Sequence, residues 1–207
     1  MKNVLIFDYD GVIVDSLEIF MQNFIEACKR EGFQNIASKK EFLKLFEKNM
    51  YESMFEMGMS KKQILRIVNF MKDRLIKNQN KINIFPSIKE TIEILSKNNI
   101  LVIVTSNESS VVENFLKSKD IYKFNKVLGS EKEASKIAKI EKIKSDFEVK
   151  NYYYIGDTVG DIIEGKQAKV KTIGVSWGWH PRIKLMEAGP DFLISVPNDL
   201  LKIINNN

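Results

Sequence analysis

The sequence predicts an α/β protein whose core is a doubly wound parallel sheet, with an all-helical segment inserted near the start. Two observations support this fold class. Short apolar runs alternate with helical patterns along most of the chain, and one long helical stretch follows the first run. Apolar runs without polar alternation are typical of strands that are buried on both faces. Strands that alternate with helices favour right-handed crossovers and a parallel sheet.

The first apolar run ends in two carboxylates. Val4–Phe7 leads directly into Asp8 and Asp10, which a single residue separates, and Gly11 comes next. In a parallel sheet, Asp8 would lie at the carboxyl end of its strand, where open α/β sheets hold their ligands. Two carboxylates this close repel each other unless a cation lies between them or one keeps a proton. A surface turn is the structural alternative, because Asp and Gly are common turn residues.

The later strands and helices define the rest of the core. Further strands are predicted at residues 101–104, 126–128, 152–155, 172–175 and 192–194. Helical patterns separate most of these apolar runs, as doubly wound sheets require. Residues 1–15 and 84–207 are therefore predicted to form a Rossmann-like α/β core domain.

Residues 16–83 are predicted to form an all-helical cap domain. One apolar helix face has the spacing of an amphipathic helix, with Leu17, Phe20, Met21, Phe24, Ile25 and Cys28. Two capping boxes open later helices, the first from Ser38 to Glu41 and the second from Ser60 to Gln63.

Composition limits the class of protein and of partner. The 207 residues are 44% hydrophobic and 29% charged, which is globular composition. The net charge is +5, but the lysines are spread along helix faces, as at Lys139 and Lys142, and are predicted to be solvated. Because no basic block is interleaved with aromatic residues, we expect no nucleic-acid partner.

The chain is predicted to be a cytoplasmic protein that does not enter a membrane. No apolar stretch approaches the roughly 18 residues that a membrane span needs. The N-terminus lacks the pattern of a signal peptide. The single cysteine, Cys28, fits a reducing compartment, and its place on an apolar helix face predicts a core residue.

Polar side chains follow three predicted strands and should meet at one edge of the sheet. Asp8 follows the first strand, Thr105 follows the strand at 101–104, and Asp157 follows the strand at 152–155. Parallel strands place their carboxyl ends together. Lys136, at the start of a helix, can reach the same edge. Such a cluster stabilises a fold poorly, but it suits a divalent cation and a phosphate group.

The order of these motifs resembles that of the haloacid dehalogenase superfamily: Asp8-Tyr9-Asp10-Gly11, then Thr105, then a lysine, then Gly156-Asp157 with Asp161. The chain is similar to the phosphatases of that superfamily whose helical cap follows the first motif, such as phosphoglycolate phosphatase and beta-phosphoglucomutase. The match covers essentially the whole chain. Asp10 argues against a true dehalogenase, since that branch lacks the second aspartate.

The resemblance implies a magnesium-dependent phosphatase. Asp8 would be the nucleophile that becomes an aspartyl phosphate, and Asp10 would act as general acid and base. The resemblance assigns Mg²⁺ to the Asp8 carboxylate, the Asp10 backbone carbonyl and Asp157. Asp161 would lie next to these ligands and help to hold them in place. Its alternative role is that of an acidic residue at a helix N-terminus.

The resemblance also assigns a phosphate-binding set. Thr105, the backbone N–H groups of Ser106 and Asn107, and a lysine would bind the phosphate oxygens. Lys136 best matches the family's spacing if the loop between its helix and the next strand is shorter in this chain. Lys132, which keeps the longer separation from Asp157, is the alternative. Capping of the following helix is the alternative role for Thr105 and Ser106.

The predicted function is hydrolysis of a small organic phosphate monoester, with phosphoglycolate as the first candidate by resemblance. The partner would be a small phosphorylated metabolite, and the protein a monomer or a small homo-oligomer. A phosphosugar mutase of the beta-phosphoglucomutase type is the alternative enzyme. A signalling receiver domain is the alternative outside enzymes, but such domains are shorter and lack the helical insert.

A few positions depart from the family pattern or stand outside it. Ser87 and Lys169 occupy positions where relatives often carry glycine, which predicts a stiffer hinge and a helix stop without glycine. His180, the single histidine, is predicted to lie on the surface. Trp177 and Trp179 flank it and would either line the site entrance or pack in the core.

Overall fold

The computed structural model describes residues 2–205 and contains one six-stranded parallel sheet in the order β5-β4-β1-β6-β7-β8. The strands are β1 (Val4–Phe7), β2 (Val14–Asp15), β3 (Asn83–Ile84), β4 (Ile100–Val104), β5 (Lys126–Leu128), β6 (Tyr152–Gly156), β7 (Lys171–Val175) and β8 (Phe192–Ile194). The predicted α/β fold with a doubly wound parallel sheet is confirmed, including its sixth strand.

The α-helices are α1 (Leu17–Arg30), α2 (Lys39–Lys44), α3 (Met50–Glu56), α4 (Lys61–Asn78), α5 (Ile88–Leu95), α6 (Ser109–Ser118), α7 (Lys136–Asp146), α8 (Val159–Gln167), α9 (Arg182–Ala188) and α10 (Asp199–Asn205). Two short 3₁₀ helices lie at Leu45–Glu47 and Gln79–Lys81. Among the described residues, none of these helices has the length and apolar character to cross a membrane.

The position of β1 explains where a ligand can bind. β1 lies between β4 and β6, and Val4 is in register with Ile100 on one side and Tyr152 on the other. The chain proceeds outward from β1 through β4 to β5, and then returns to β6 on the opposite side. The carboxyl ends of β1 and β6 therefore flank the point where the strand order reverses, which is where open α/β sheets form a crevice.

The sheet is buried on both faces because successive side chains of each strand point to opposite sides. Leu5 and Phe7 belong to the apolar cluster that also includes the helices of segment 16–83. Val4 and Ile6 pack on the other face, in a cluster with Ile140 of α7. All four residues of β1 are fully buried, as its uninterrupted apolar sequence predicts.

Segment 16–83 starts and ends beside a two-stranded ribbon. β2 pairs antiparallel with β3, and Val14 lies opposite Ile84. Between these strands, α1 and α4 pack against each other. The predicted capping boxes at the starts of α2 and α4 are both present. Cys28 is buried on α1, as predicted, and burial raises the pKa of its thiol to about 12.

The two positions that lack the family's glycine adopt left-handed backbone. Ser87 has φ 62° and Lys169 has φ 55°. Lys169 lies just beyond α8, where its N–H donates to the Lys166 carbonyl and the N–H of Val170 donates to the Gly165 carbonyl. This is the Schellman arrangement that usually places glycine at the left-handed position. The helix therefore ends without glycine, and the Cβ of Lys169 is strained because its backbone is left-handed.

We expect Lys169→Gly to raise the free energy of unfolding by about 1 kcal/mol relative to Lys169→Ala, because glycine adopts positive φ without steric cost. Both substitutions remove the same charge, so their difference isolates the backbone. Urea unfolding followed by circular dichroism measures it. Equal stability of the two variants would contradict the strain at this position.

Candidate active site

Three buried carboxylates meet at the crevice beside β1. Asp8 follows β1, Asp157 follows β6, and Asp161 lies in the first turn of α8. Each offers a carboxylate oxygen within 4.8 Å of those of the other two. The structure therefore brings together acids from the first and the last predicted motif.

Lys136 lies inside this acidic cluster. Its Nζ is 2.8 Å from Asp8 Oδ2 and 2.7 Å from Asp161 Oδ1. Burial lowers the pKa of Lys136, but the charges of Asp161 and Asp8 outweigh burial and raise it well above its ordinary value. Lys136 is therefore a buried cation. Lys132, the alternative, is exposed, so Lys136 is the lysine that the fold brings to the site.

Protein donors engage both oxygens of Asp161. Oδ1 accepts from Lys136 and, at 2.8 Å, from the Tyr154 hydroxyl. Oδ2 accepts from the backbone N–H and the hydroxyl of Thr158, which completes a capping box at the start of α8. Burial raises the pKa of Asp161, but the charge of Lys136 and these hydrogen bonds outweigh it and lower the pKa. Asp161 is thus a fixed anion that orients Lys136.

Asp157 differs, because one of its oxygens has no protein donor. Oδ2 accepts from the backbone N–H of Trp179 at 2.7 Å. Oδ1 is buried and has no hydrogen-bond partner among the residues that the structure describes. Burial raises the pKa of this carboxyl group well above its usual range. A buried carboxylate oxygen without a donor is costly, and a cation would satisfy it.

Two glycines allow the backbone to approach Asp157. A Cβ on Gly11 would lie 1.9 Å from Asp157 Oδ2, and Gly11 has φ 75°. A Cβ on Gly178 would lie 2.4 Å from the Asp157 Cβ. Gly11 thus makes a tight turn beside Asp157. The importance of Gly178 was missed, since only the folded loop after β7 brings it to the site.

The donor set suits a divalent cation. Asp8 and Asp157 offer hard carboxylate oxygens of the kind that Mg²⁺ prefers. Burial raises the pKa of Asp8 to about 7, with Lys136 lowering it and Asp161 raising it. A bound cation would favour the charged form of both carboxyl groups. The residues present therefore fit a divalent metal, and the unpartnered Asp157 Oδ1 is the observation that supports this fit.

Asp10 has a hydrogen-bond network of its own. Its oxygens accept from the Ser16 hydroxyl and from the Asn107 side-chain amide, each at 2.5 Å. Burial raises the pKa of Asp10, while both hydrogen bonds oppose that rise. The Ser16 hydroxyl can donate to the carboxylate or accept from the carboxylic acid. Ser16 can therefore support both protonation states of Asp10.

The predicted phosphate-binding residues lie beside this network. Thr105 is fully buried, and its hydroxyl oxygen accepts from the Asn107 backbone N–H at 3.1 Å. Ser106 lines the cavity that contains Asp8 and Asp10. The alternative role for Thr105 and Ser106, capping of the next helix, is wrong, because Glu108 occupies the N-cap position of α6. The hydrogen bond from the Asn107 side chain to Asp10 was missed by sequence reasoning.

Lys139 corrects the prediction that the helix lysines are all solvated. It is 1% exposed, and its Nζ donates to the Thr105 carbonyl at 2.7 Å. Burial, together with the nearby charge of Lys136, lowers its pKa to about 8. Its spacing of three residues from Lys136 was the available signal, because residues three apart share one face of a helix.

His180 is also buried, so the prediction of a surface histidine is wrong. Its Nδ1 accepts from the Val159 backbone N–H at 2.9 Å, and its Nε2 lies 2.9 Å from the Leu43 carbonyl. This pairing requires the neutral ring with its proton on Nε2. Burial lowers the pKa of His180, in agreement with the neutral form. The ring therefore connects α8 to the helical segment through Leu43.

The helical segment contacts the core directly above the acidic cluster. A Cβ on Gly160 would lie 2.7 Å from the Lys48 carbonyl, so only glycine permits this approach. Asn49 donates to Glu164 of α8 at 2.9 Å. The Trp179 ring packs edge-on against Phe46, with centroids 4.8 Å apart.

Beside these contacts lies a cavity lined by Asp8, Asp10, Asp157 and Lys136. Phe20, Phe46 and Trp179 line it from above, so one wall is aromatic and the other is ionic. Trp179 thus both packs and lines the cavity. Trp177 packs against the core, and its indole N–H donates to the Val12 carbonyl at 3.1 Å.

The sequence pattern of the haloacid dehalogenase-like hydrolases matches residues 5–175. This chain belongs to that family. The family predicted from the sequence, and with it a hydrolase, is thereby confirmed.

Characterised relatives match along nearly their whole length. A phosphoglycolate phosphatase from Synechococcus elongatus is 24% identical over 204 residues, which cover 97% of this chain and 96% of the relative. The pyrophosphatase PpaX from Bacillus thuringiensis is 24% identical over 217 residues, covering 99% and 97%. A structure from Clostridium acetobutylicum, described as a predicted phosphatase, covers 100% of both chains with a TM-score of 0.86 at 19% identity. The structural match supports the fold.

The stability of the metal-free protein should fall by a few kcal/mol as the pH rises from about 4 to about 8. The pKa of Asp8 is raised to about 7 in the folded state, so the folded protein keeps a proton that the unfolded chain has lost. Unfolding then releases a proton, and higher pH favours it. Mg²⁺ should reverse this loss, because it binds the ionised carboxylates.

Thermal and urea unfolding across this pH range, with a chelator or with Mg²⁺, measures both effects. Asp8→Asn removes one of the titrating groups. The variant should therefore show a smaller loss of stability with rising pH in the absence of metal. Stability that rises with pH in the presence of chelator would contradict the assigned direction.

Proposed function

We propose that this hydrolase releases phosphate from small organic phosphate monoesters, with Mg²⁺ as its cofactor and an aspartyl phosphate on Asp8 as its intermediate. One observation carries the proposal. The Asp8 carboxylate shares a buried cavity with the Lys136 ammonium and with Asp157, whose Oδ1 has no protein donor. A carboxylate nucleophile, an ammonium group and a carboxylate oxygen that can bind a metal thus lie close together. This arrangement suits attack on a phosphate group.

In the first step, an Asp8 carboxylate oxygen attacks phosphorus, and the bond from phosphorus to the ester oxygen breaks. The departing oxygen takes a proton from Asp10, so the alcohol leaves neutral. In the second step, water attacks the phosphorus of the aspartyl phosphate and gives a proton to Asp10. Inorganic phosphate leaves, and both Asp8 and Asp10 return to their starting states.

Asp10 has the surroundings that this double role needs. Burial raises its pKa, which favours the protonated acid when the substrate binds. The hydrogen bonds from Ser16 and Asn107 hold its side chain in place in both protonation states. A carboxyl group with a raised pKa and fixed orientation is suited to general acid catalysis.

The Asp8 carboxylate, the Asp10 backbone carbonyl and Asp157 would hold the Mg²⁺, as the family resemblance implies. When bound, the cation supplies positive charge that reduces repulsion between the anionic nucleophile and the anionic phosphate. Lys136 and the Thr105 hydroxyl would bind phosphate oxygens.

Ser106 and Asn107 would complete the phosphate-binding set with their backbone N–H groups, and Asp161 would keep Lys136 oriented. Segment 16–83 would act as the cap that excludes water above the site. Phosphoglycolate and pyrophosphate are initial candidate substrates, because relatives carry those activities in their names. The unpaired buried Cys28 supports a reducing, cytoplasmic setting.

We expect Asp8→Asn to reduce phosphate release at least about 1,000-fold, because an amide is a very poor nucleophile toward phosphorus. Asp15→Asn is the matched control, since Asp15 is exposed and lies outside the acidic cluster. Release of inorganic phosphate from a panel of phosphorylated metabolites measures the loss. Full turnover by Asp8→Asn would refute the assigned nucleophile. Conversion of a hexose 1-phosphate to its isomer, without release of phosphate, would identify the mutase instead.

Chelation should abolish activity, and added Mg²⁺ should restore it. We expect Asp157→Asn to need at least about 10-fold more Mg²⁺ for half-maximal activity, because the variant loses a charged ligand. Titration of activity against Mg²⁺ in both proteins provides the comparison, with Asp15→Asn again as the control. Activity that survives complete chelation would remove the metal from the mechanism.

A further inference from the structure

We propose, on the basis of the proposed function, that the leaving group of the substrate occupies an apolar cavity beside the acidic one. The preferred substrates are then monophosphate esters of compact, uncharged alcohols with an apolar carbon skeleton. Phosphorylated carboxylic acids, phosphoglycolate among them, are poorer substrates. Three features of this second cavity support the proposal: its position beside the acidic cavity, its lining and its charge.

The second cavity lies beside the acidic cavity. Phe20, Met50 and Ser106 line both cavities. The two cavities therefore meet at these three residues, and the proposal places the leaving group on the far side of that boundary from Asp8.

The general acid lies at the junction of the two cavities. Asn107 lines the apolar cavity, and its side-chain amide donates to Asp10 in the acidic cavity at 2.5 Å. In the proposed mechanism, the ester oxygen leaves beside Asp10. The carbon skeleton attached to that oxygen therefore extends toward Asn107 and the apolar cavity.

The wall formed by the helical segment is apolar. Phe24 of α1 lines the cavity, together with Ile67, Val68, Met71 and Leu75 of α4. Four of these five side chains are buried, and Val68 is half-buried. Methionine and branched aliphatic side chains bind carbon skeletons and give no hydrogen bonds to an anion. The opposite wall has neutral polar groups from Ser106, Asn107 and Ser130, which can accommodate a hydroxyl group.

The charge of the lining disfavours a carboxylate. Among the described residues that line this cavity, Lys72 is the one cation, and it is paired with Glu108 at 2.7 Å. In the acidic cavity, Lys136 is held by Asp8 and Asp161. Lys48, at the opening, pairs with Glu56 at 2.5 Å. A carboxylate on the leaving group would thus lose water without gaining an unpaired cation, which is costly.

A series of alkyl phosphates tests the proposal with the full chain and Mg²⁺. Ethyl, butyl and hexyl phosphate release alcohols of similar acidity. Differences in kcat/KM between them therefore report binding of the alkyl group. We expect kcat/KM to rise roughly fourfold for each methylene that the cavity buries, until the cavity is full. Phosphoglycolate should give a lower kcat/KM than butyl phosphate.

Two variants on α4 locate the effect. Val68→Asn places a polar side chain in the cavity and should flatten the dependence on chain length. Leu65→Asn is the matched control, because Leu65 is 61% exposed on the same helix and does not line the cavity. Thermal unfolding checks that both variants fold. If Val68→Asn does not fold, the alkyl series on the unmodified protein still decides the question.

The outcomes separate this inference from the proposed function. A rise in kcat/KM with chain length that Val68→Asn flattens and Leu65→Asn retains supports the inference. Phosphate release that is independent of chain length, or that is fastest with phosphoglycolate, overturns the inference and leaves the phosphatase intact. No release from any monoester, with Mg²⁺ present, overturns the proposed function itself.

Discussion

The buried ammonium of Lys136 is the interaction on which the site depends. It joins Asp8, at the end of β1, to Asp161, at the start of α8, and so connects three elements that are distant in the chain. Removing one member of a buried ion pair costs about 3–5 kcal/mol, because the remaining charge loses its partner. Asp157 lies within the same group of carboxylates, but among the described residues its carboxylate accepts one hydrogen bond, from the Trp179 backbone N–H. Lys136 therefore neutralises the cluster beside Asp8 and Asp161, whereas Asp157 can still bind a cation.

Close backbone approach is the second constraint, and glycine makes it possible. Gly11 turns the chain over Asp157, where any Cβ would clash with the carboxylate. Gly160 allows the carbonyls of the helical segment to reach the first turn of α8. The buried ring of His180 joins the same two parts by accepting from Val159 and donating to Leu43. These contacts place the helical segment over the acidic residues, where the proposed mechanism needs water to be excluded.

Much of this arrangement could be predicted from the sequence, because parallel strands place their carboxyl ends at one edge. That rule brought Asp8 and Asp157 together from distant apolar runs. The burial of Lys139 and His180 was missed for a physical reason. Composition and local pattern treat a lysine or a loop histidine as solvated, whereas their burial depends on carbonyls and N–H groups supplied by other elements. The helix stop without glycine at Lys169, by contrast, was predicted from the family resemblance, whereas its left-handed backbone was found only in the structure.

Selectivity and acid strength have a common origin in this fold. Burial is the largest cause of the raised pKa of Asp10, and Phe20 and Phe46 of segment 16–83 line the same cavity as Asp10. Part of the same apolar surface, on α1 and α4, lines the cavity beside Asn107. A more polar or more cationic lining would accept charged leaving groups, but it would also raise the local dielectric and favour the ionised form of Asp10. A site in which burial raises the pKa of the proposed acid therefore favours leaving groups that need no water, and uncharged carbon skeletons meet that condition.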